Sequence, residues 1–87
     1  MAKVDIYTTR FCPFCIRAKM LLDKLGVNYH EIPVDGDAPL RAHMESLTGG
    51  YTVPQILIND QAIGGCDDLH ALHRHGQLQE LLQESAR

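Results

Sequence analysis

Cys12 and Cys15 stand three residues apart in the run Arg10-Phe11-Cys12-Pro13-Phe14-Cys15-Ile16-Arg17. Such a C-x-x-C pair suits thiol–disulfide exchange. That reaction needs an attacking thiolate, a leaving thiolate and a second thiol to resolve the mixed disulfide. A free cysteine of pKa about 8.5 is only slightly ionised at neutral pH, so its surroundings must favour the anion. Pro13 suits the first position of a helix, where a missing N–H costs nothing and its φ is already helical. Both sulfurs therefore fall in or beside a first helical turn, on one face. There a disulfide can open and close without moving the backbone far. The helix start offers unpaired N–H groups and partial positive charge. The dipole supplies about 0.3–1 kcal/mol, less than the roughly 1.4 kcal/mol of one pKa unit. Hydrogen bonds to sulfur and the nearby cations Arg10 and Arg17 must supply any larger shift. Cys12, at the turn into the helix, is expected to be the exposed attacker. Cys15, one turn inside, is expected to be the buried resolver. The alternative is half of a zinc site, but only one C-x-x-C is present and Pro13 favours a helix start.

The elements that must position this pair follow from hydropathy. Val4-Asp5-Ile6-Tyr7 reads as a short strand. Phe14, Ala18, Leu21, Leu22 and Leu25 repeat with helical period, predicting a helix from Pro13 to Leu25 that stops at a left-handed Gly26. Val27 to Val34 reads as a second strand, placed at a sheet edge because Pro33 cannot donate to a ladder. Strand, helix, strand at this length predicts a right-handed parallel βαβ unit. Asp37 is expected to cap a second helix with Leu40, Met44 and Leu47 inward and an Arg41–Glu45 surface pair, ended by Thr48-Gly49-Gly50. Ile56-Leu57-Ile58 reads as a strand buried on both faces. Asn59-Asp60 turns it into Gln61-Ala62-Ile63. Asp67 or Asp68 is expected to cap a third helix with Leu69 and Leu72 inward, ending near Gly76. Leu78, Leu81 and Leu82 suggest a last amphipathic helix, with Ser85-Ala86-Arg87 frayed. The pattern β-α-β-α-β-β-α predicts a small mixed sheet with helices on both faces.

Two further stretches carry chemistry. Pro54 opens the buried strand. A trans proline is the plain reading, but the C-x-x-C on a βαβ unit tips the expectation to a cis bond in a tight turn. That turn would leave the backbone of Val53 free to pair with an extended thiol substrate. In Gly64-Gly65-Cys66-Asp67-Asp68, two glycines before a helix start make an anion-binding end. Asp68 beside it can accept from an ammonium group, so the α-amino-acid end of a ligand fits the pair. A plain helix cap is the alternative. Cys66 is either a small, partly buried residue or an accessory thiol prone to glutathionylation. His70, His73 and His75 read as helix-surface residues, and a metal on His70 and His73 lacks further ligands.

With 87 residues, 45% hydrophobic and 22% charged, the chain is expected to fold as one domain over residues 1–87. A net charge of −3, no basic cluster, no Trp and five aromatics argue against nucleic acid as partner. No apolar run is long enough to span a membrane. The N-terminus has no signal-like segment. Three cysteines is an odd count for a stapled secreted fold, so a reducing, cytoplasmic setting is expected.

Four stretches occur in order and at a known family's spacing: Ile6-Tyr7-Thr8, Cys12-Pro13-Phe14-Cys15, Thr52-Val53-Pro54-Gln55 and Gly64-Gly65-Cys66-Asp67-Asp68-Leu69. Across nearly the whole chain this resembles a glutaredoxin of the small bacterial dithiol type. The resemblance implies an α/β, thioredoxin-like fold with a four-stranded mixed sheet flanked by helices. It implies glutathione-dependent reduction of protein disulfides and glutathione mixed disulfides, with Cys12 carrying the glutathionyl group and Cys15 resolving. Thr52 and Val53 would align the cysteinyl backbone of glutathione ahead of a cis Pro54. Gly65, Cys66, Asp67 and Asp68 would hold its γ-glutamyl end, and Arg41 would stand near its glycine carboxylate. Glutathione is implied as co-substrate, with no permanently bound cofactor. The implied partners are disulfide-containing or glutathionylated proteins, ribonucleotide reductase among them, and the chain is expected to be a monomer. Three residues depart from the pattern. Thr9 stands where the family usually has Lys, with Arg10 as a substitute. Phe14 replaces the commoner Tyr, and Tyr51 occupies an often basic position. Two rival readings keep the fold. One is a [2Fe–2S] carrier, with the cluster held between subunits by Cys12 and glutathione. The other is a reductase fed by thioredoxin reductase, which would not need Asp67, Asp68 or Arg41.

Overall fold

The structure is a computed structural model and describes residues 2–83; the expected fraying of Ser85-Ala86-Arg87 lies outside the described residues. The elements are β1 (Val4–Thr8), α1 (Pro13–Lys24), β2 (His30–Pro33), α2 (Ala38–Thr48), β3 (Gln55–Ile58), β4 (Gln61–Gly64), α3 (Cys66–Arg74) and α4 (Gln77–Gln83). The strands form one sheet in the order β2-β1-β3-β4. β1 pairs parallel with β2, whereas β1–β3 and β3–β4 are antiparallel. The βαβ unit and the mixed sheet are thus as expected, and α4 is the last helix expected from Leu78, Leu81 and Leu82.

Alternation along the strands divides the core. On one face Val4, Ile6, Ile56 and Ile58 pack with Ala18, Leu21 and Leu22 of α1, Cys66 and Leu69 of α3 and Leu78 of α4. On the other face Tyr7 and Leu57 pack with Val34 and Met44, the latter from α2. β3 is buried along its whole length, as an interior strand must be. Asn59 and Asp60 both take positive φ, +52° and +66°, the conformation a two-residue hairpin of matching twist requires.

Several boundaries differ from expectation, each for a local reason. β2 is only four residues long. The Val27 N–H turns back to the Leu22 carbonyl at 2.9 Å and closes α1 instead of starting a ladder. Leu25 caps α1, and Gly26 at φ +71° redirects the chain. Asp37 caps α2 as expected, its Oδ1 accepting from the Leu40 N–H at 3.0 Å. Leu47 is not inward but 46% exposed. It edges an open groove lined also by Lys3, Asp5, His30 and His43, so α2 does not close on the sheet at that end. Arg41 does not pair with Glu45; its Nη2 donates to the Tyr51 carbonyl at 3.0 Å. The N-cap of α3 is Gly65 rather than Asp67 or Asp68. Asp68 acts from inside the helix, its Oδ2 accepting from the Gly65 N–H at 3.0 Å.

Candidate active site

The loop leaving β1 is tied down before it reaches the cysteines. The Arg10 N–H donates to both carboxylate oxygens of Asp35, at 3.0 and 3.2 Å. Two residues later Cys12 takes an extended conformation and becomes the N-cap of α1, with Pro13 following. The Cys12 sulfur accepts from the Cys15 N–H at 3.0 Å, in the place a Ser or Asp oxygen usually fills. A sulfur so placed receives a directed N–H and the field of the helix start, both of which favour its anion. Cys12 and Cys15 are joined as a disulfide, with Cα atoms 5.1 Å apart.

The expected exposure of Cys12 is corrected. It is 7% exposed, against 1% for Cys15. The order is as expected, but the attacker is not open in the oxidised form. Its sulfur sits 3.8 Å from the Val53 carbonyl, so the loop before β3 covers it.

That loop is one wall of a cleft of about 270 Å³, lined by Phe14, Thr52, Val53, Pro54, Gln55, Gly64, Gly65, Cys66, Asp67 and Asp68. The Val53–Pro54 peptide is cis. The opposite wall is the start of α3. Its first-turn N–H groups have no partner within the helix, apart from whatever enters the cleft. The Gly65 N–H is not among the groups open to a ligand, because Asp68 already accepts from it. Gly64 sits at φ +108°, and a side chain there would collide with the Asp68 carboxylate. Glycine is therefore what lets the Asp68 carboxylate fold back over the strand end.

Of the residues singled out from sequence, Thr52, Val53, Pro54, Gly65, Cys66, Asp67 and Asp68 come together around this cleft. Arg10 and Arg41 do not line it. Arg10 borders a separate shallow cavity with Thr9, Ile16, Lys19 and Asp35. Arg41 is held at the Tyr51 carbonyl. Gly64, from the expected anion-binding stretch, and Phe14, one of the three departures from the family pattern, line it too, and sequence reasoning missed Gln55 as a lining residue. Gln55 had a readable signal: it is the one polar residue of β3, and it is buried. Its Nε2 reaches the Thr52 Oγ1 at 3.5 Å.

Cys66 is a buried free thiol in the cleft wall. Burial pushes its pKa up, Asp67 adds to this and Arg17 opposes it. His70 does not act as its base through Nδ1. That nitrogen lies 2.8 Å from the Cys66 carbonyl, which can only accept, so it carries the proton and donates there. Among the described residues no group of three or more His, Cys, Asp or Glu side chains is placed to hold a metal ion. Nor is any described helix long and apolar enough to cross a membrane.

The glutaredoxin family model matches residues 4–63. A glutaredoxin of Pseudomonas aeruginosa is 55% identical over 82 residues, covering 94% of this chain and 98% of that protein. Glutaredoxin 3 of Escherichia coli is 53% identical over 83 residues, covering 95% of this chain and all of that protein. Among solved structures, the crystal structure of a buckwheat glutaredoxin–glutathione complex superposes with a TM-score of 0.85. It is 33% identical, covering 93% of this chain and 76% of that one. Matched along its length, and holding a cysteine pair at a helix start against a cis-proline loop, the chain belongs to the glutaredoxin family, the thiol–disulfide oxidoreductases of thioredoxin-like fold.

Proposed function

We propose that the chain reduces glutathione mixed disulfides with Cys12 alone and protein disulfides with Cys12 and Cys15 together. One observation carries the division of roles: Cys12 is the N-cap whose sulfur receives the Cys15 N–H, while Cys15 is the more deeply buried sulfur. In the monothiol route the Cys12 thiolate attacks the glutathionyl sulfur of a protein–glutathione disulfide. The protein sulfur leaves as a thiolate and takes a proton. A second glutathione thiolate then attacks the glutathionyl sulfur on Cys12, releasing oxidised glutathione and restoring the thiolate. In the dithiol route Cys12 forms a mixed disulfide with the protein, and Cys15 displaces the reduced protein. The resulting Cys12–Cys15 disulfide is reopened by two glutathione molecules in turn.

Glutathione is assigned to the cleft. Its cysteinyl backbone would lie along Thr52 and Val53, and its γ-glutamyl end at Gly65, Cys66, Asp67 and Asp68. The charges suit it: helix N–H groups for its carboxylate, aspartates for its ammonium. The complexed buckwheat relative supports the ligand class. Arg10 and Arg41 lie outside the cleft lining and are assigned at most to its rim. Residues 1–87 are taken to act as one domain, as a cytoplasmic monomer without a resident cofactor.

The test is a pair of substitutions assayed with glutathione and glutathione reductase. Cys12→Ser is expected to remove both activities. Cys15→Ser is expected to lose protein-disulfide reduction and keep deglutathionylation. Activity persisting in Cys12→Ser overturns the assignment of the attacker.

A further inference from the structure

The loop between β1 and α1 turns its side chains outward. Arg10 is exposed and Phe11 is 93% exposed, so core packing does not hold this part of the chain. Hydrogen bonds must fix its backbone. Parallel pairing of β1 with β2 runs to Thr8 and Pro33. One more backbone bond follows, from the Val34 N–H to the Thr8 carbonyl at 2.9 Å. There the ladder ends, and the Asp35 carboxylate takes the Arg10 N–H at 3.0 and 3.2 Å. A backbone N–H on an ionised acceptor is among the stronger hydrogen bonds. Asp35 is itself well placed. Val34 before it is buried, and the Asp37 N–H closes the turn around it onto the Val34 carbonyl at 3.2 Å.

The residue held in this way stands two before Cys12. Cys12 is the N-cap of α1, its sulfur accepting from the Cys15 N–H at 3.0 Å. In the oxidised form the bond to Cys15 also holds that sulfur. Once the disulfide opens, the sulfur stays on the N–H only while the Cys12 backbone keeps the extended conformation of a cap. A thiolate so placed gains from the directed N–H and the helix start, and a loosened one loses both. The Arg10 side chain does not replace them from within the cleft, because it borders the separate cavity with Thr9, Ile16 and Lys19. We propose that Asp35 is a positioning residue for the nucleophile. By holding the Arg10 N–H it keeps Cys12 in its cap conformation, and so keeps the reduced sulfur on the Cys15 N–H as a thiolate. This rests on the role of Cys12 as attacker proposed above.

The charge of Asp35 works the other way. A carboxylate near a thiolate disfavours the anion. A tethering Asp35 and a purely electrostatic one therefore predict opposite signs on its removal. Other charges stand on the elements around the pair. Arg17 and Lys19 lie on α1, and Lys19 is paired with Glu31 of β2 at 3.0 Å. Asp37 accepts from the Leu40 N–H and Asp68 from the Gly65 N–H. Asp67 and the Cys66 thiol lie in the cleft wall. A substitution at position 35 leaves all of these in place.

The test compares Asp35→Ala with Asp35→Asn in the reduced chain, following iodoacetamide alkylation of Cys12 against pH by peptide mass spectrometry. Asparagine keeps an oxygen for the Arg10 N–H and removes the charge. Alanine removes both. Asp35→Ala is expected to move the alkylation midpoint up by about one pH unit, about tenfold in thiolate on the acid side. Asp35→Asn is expected to stay at or below the wild-type midpoint. With the mixed disulfide of glutathione and 2-mercaptoethanol, kcat/KM of the alanine variant should fall about tenfold below the midpoint and recover above it. Asp35→Ser, too short to reach the loop, takes its place if urea titration shows the alanine variant unfolded. Both variants shifting the midpoint in the same direction overturns the inference while the function stands. So does an unmoved midpoint in the alanine variant, even where its urea midpoint falls. Activity persisting in Cys12→Ser removes the attacker itself, and the inference with it.

Discussion

At the scale of single residues, the chain holds two kinds of cysteine, one capping α1 and one in the cleft wall. Cys12 accepts a backbone N–H at a helix start, and Cys66 is sealed in the wall with its pKa raised by burial. Their reactivities should differ accordingly. In the reduced protein at pH 7, iodoacetamide is expected to label Cys12 well before Cys66; peptide mass spectrometry gives the order. The Cys66 thiol also sets a pH dependence. The folded chain holds this proton more tightly than the unfolded chain, so its stabilising contribution is whole below the ordinary thiol value. It drains away as pH climbs from there through the raised folded value. Cys66→Ser is expected to flatten that alkaline loss in urea titrations. The reactive pair was legible from four residues, because type and spacing define it locally. The cover over Cys12 was not, because Val53 reaches it from 41 positions away. The Asp35 anchor was hidden for the same reason, 25 positions from the loop it holds.

At the scale of elements, the start of α3 depends on backbone freedom one residue before its cap. Gly64 is at φ +108°, with the Asp68 carboxylate where a side chain would go. Gly64→Ala is expected to cost about 1–3 kcal/mol in urea unfolding, through strain and a displaced Asp68–Gly65 hydrogen bond. The redox potential of the Cys12–Cys15 pair should stay near wild type, since α1 is untouched; equilibration with glutathione buffers measures it. Helices α1, α2 and α3 could be read from period and glycine stops. Their caps were read less well. Asp37 caps as a carboxylate before a helix should, whereas Asp67 and Asp68 lie inside α3. A sequence shows that a cap is available but not whether the chain turns at Gly65, Asp67 or Asp68. Leu47 failed for a different reason. Its spacing is right for a buried stripe, but the helix ends over an open groove.

At the scale of the whole molecule, the sheet has two unequal sides. Among the described residues, ten buried ones, drawn from three helices and the sheet, make up one core; four make up the other, with Met44 the fully buried contribution of α2. Leu78→Ala, in the larger core, is expected to cost about 2–5 kcal/mol, read from the urea midpoint. The mixed topology was legible because parallel β1–β2 and the β3–β4 hairpin each follow from connection length. The imbalance was not, because it depends on how closely each helix settles. It bears on how the catalyst breathes. The sulfur pair is rooted in the thick layer, while the loop that walls the cleft hangs from the thin one, tethered where Arg41 donates to the Tyr51 carbonyl. Thermal loosening should therefore start in the thin layer. The wall of the cleft formed by that loop should then loosen before the wall that carries the cysteine pair.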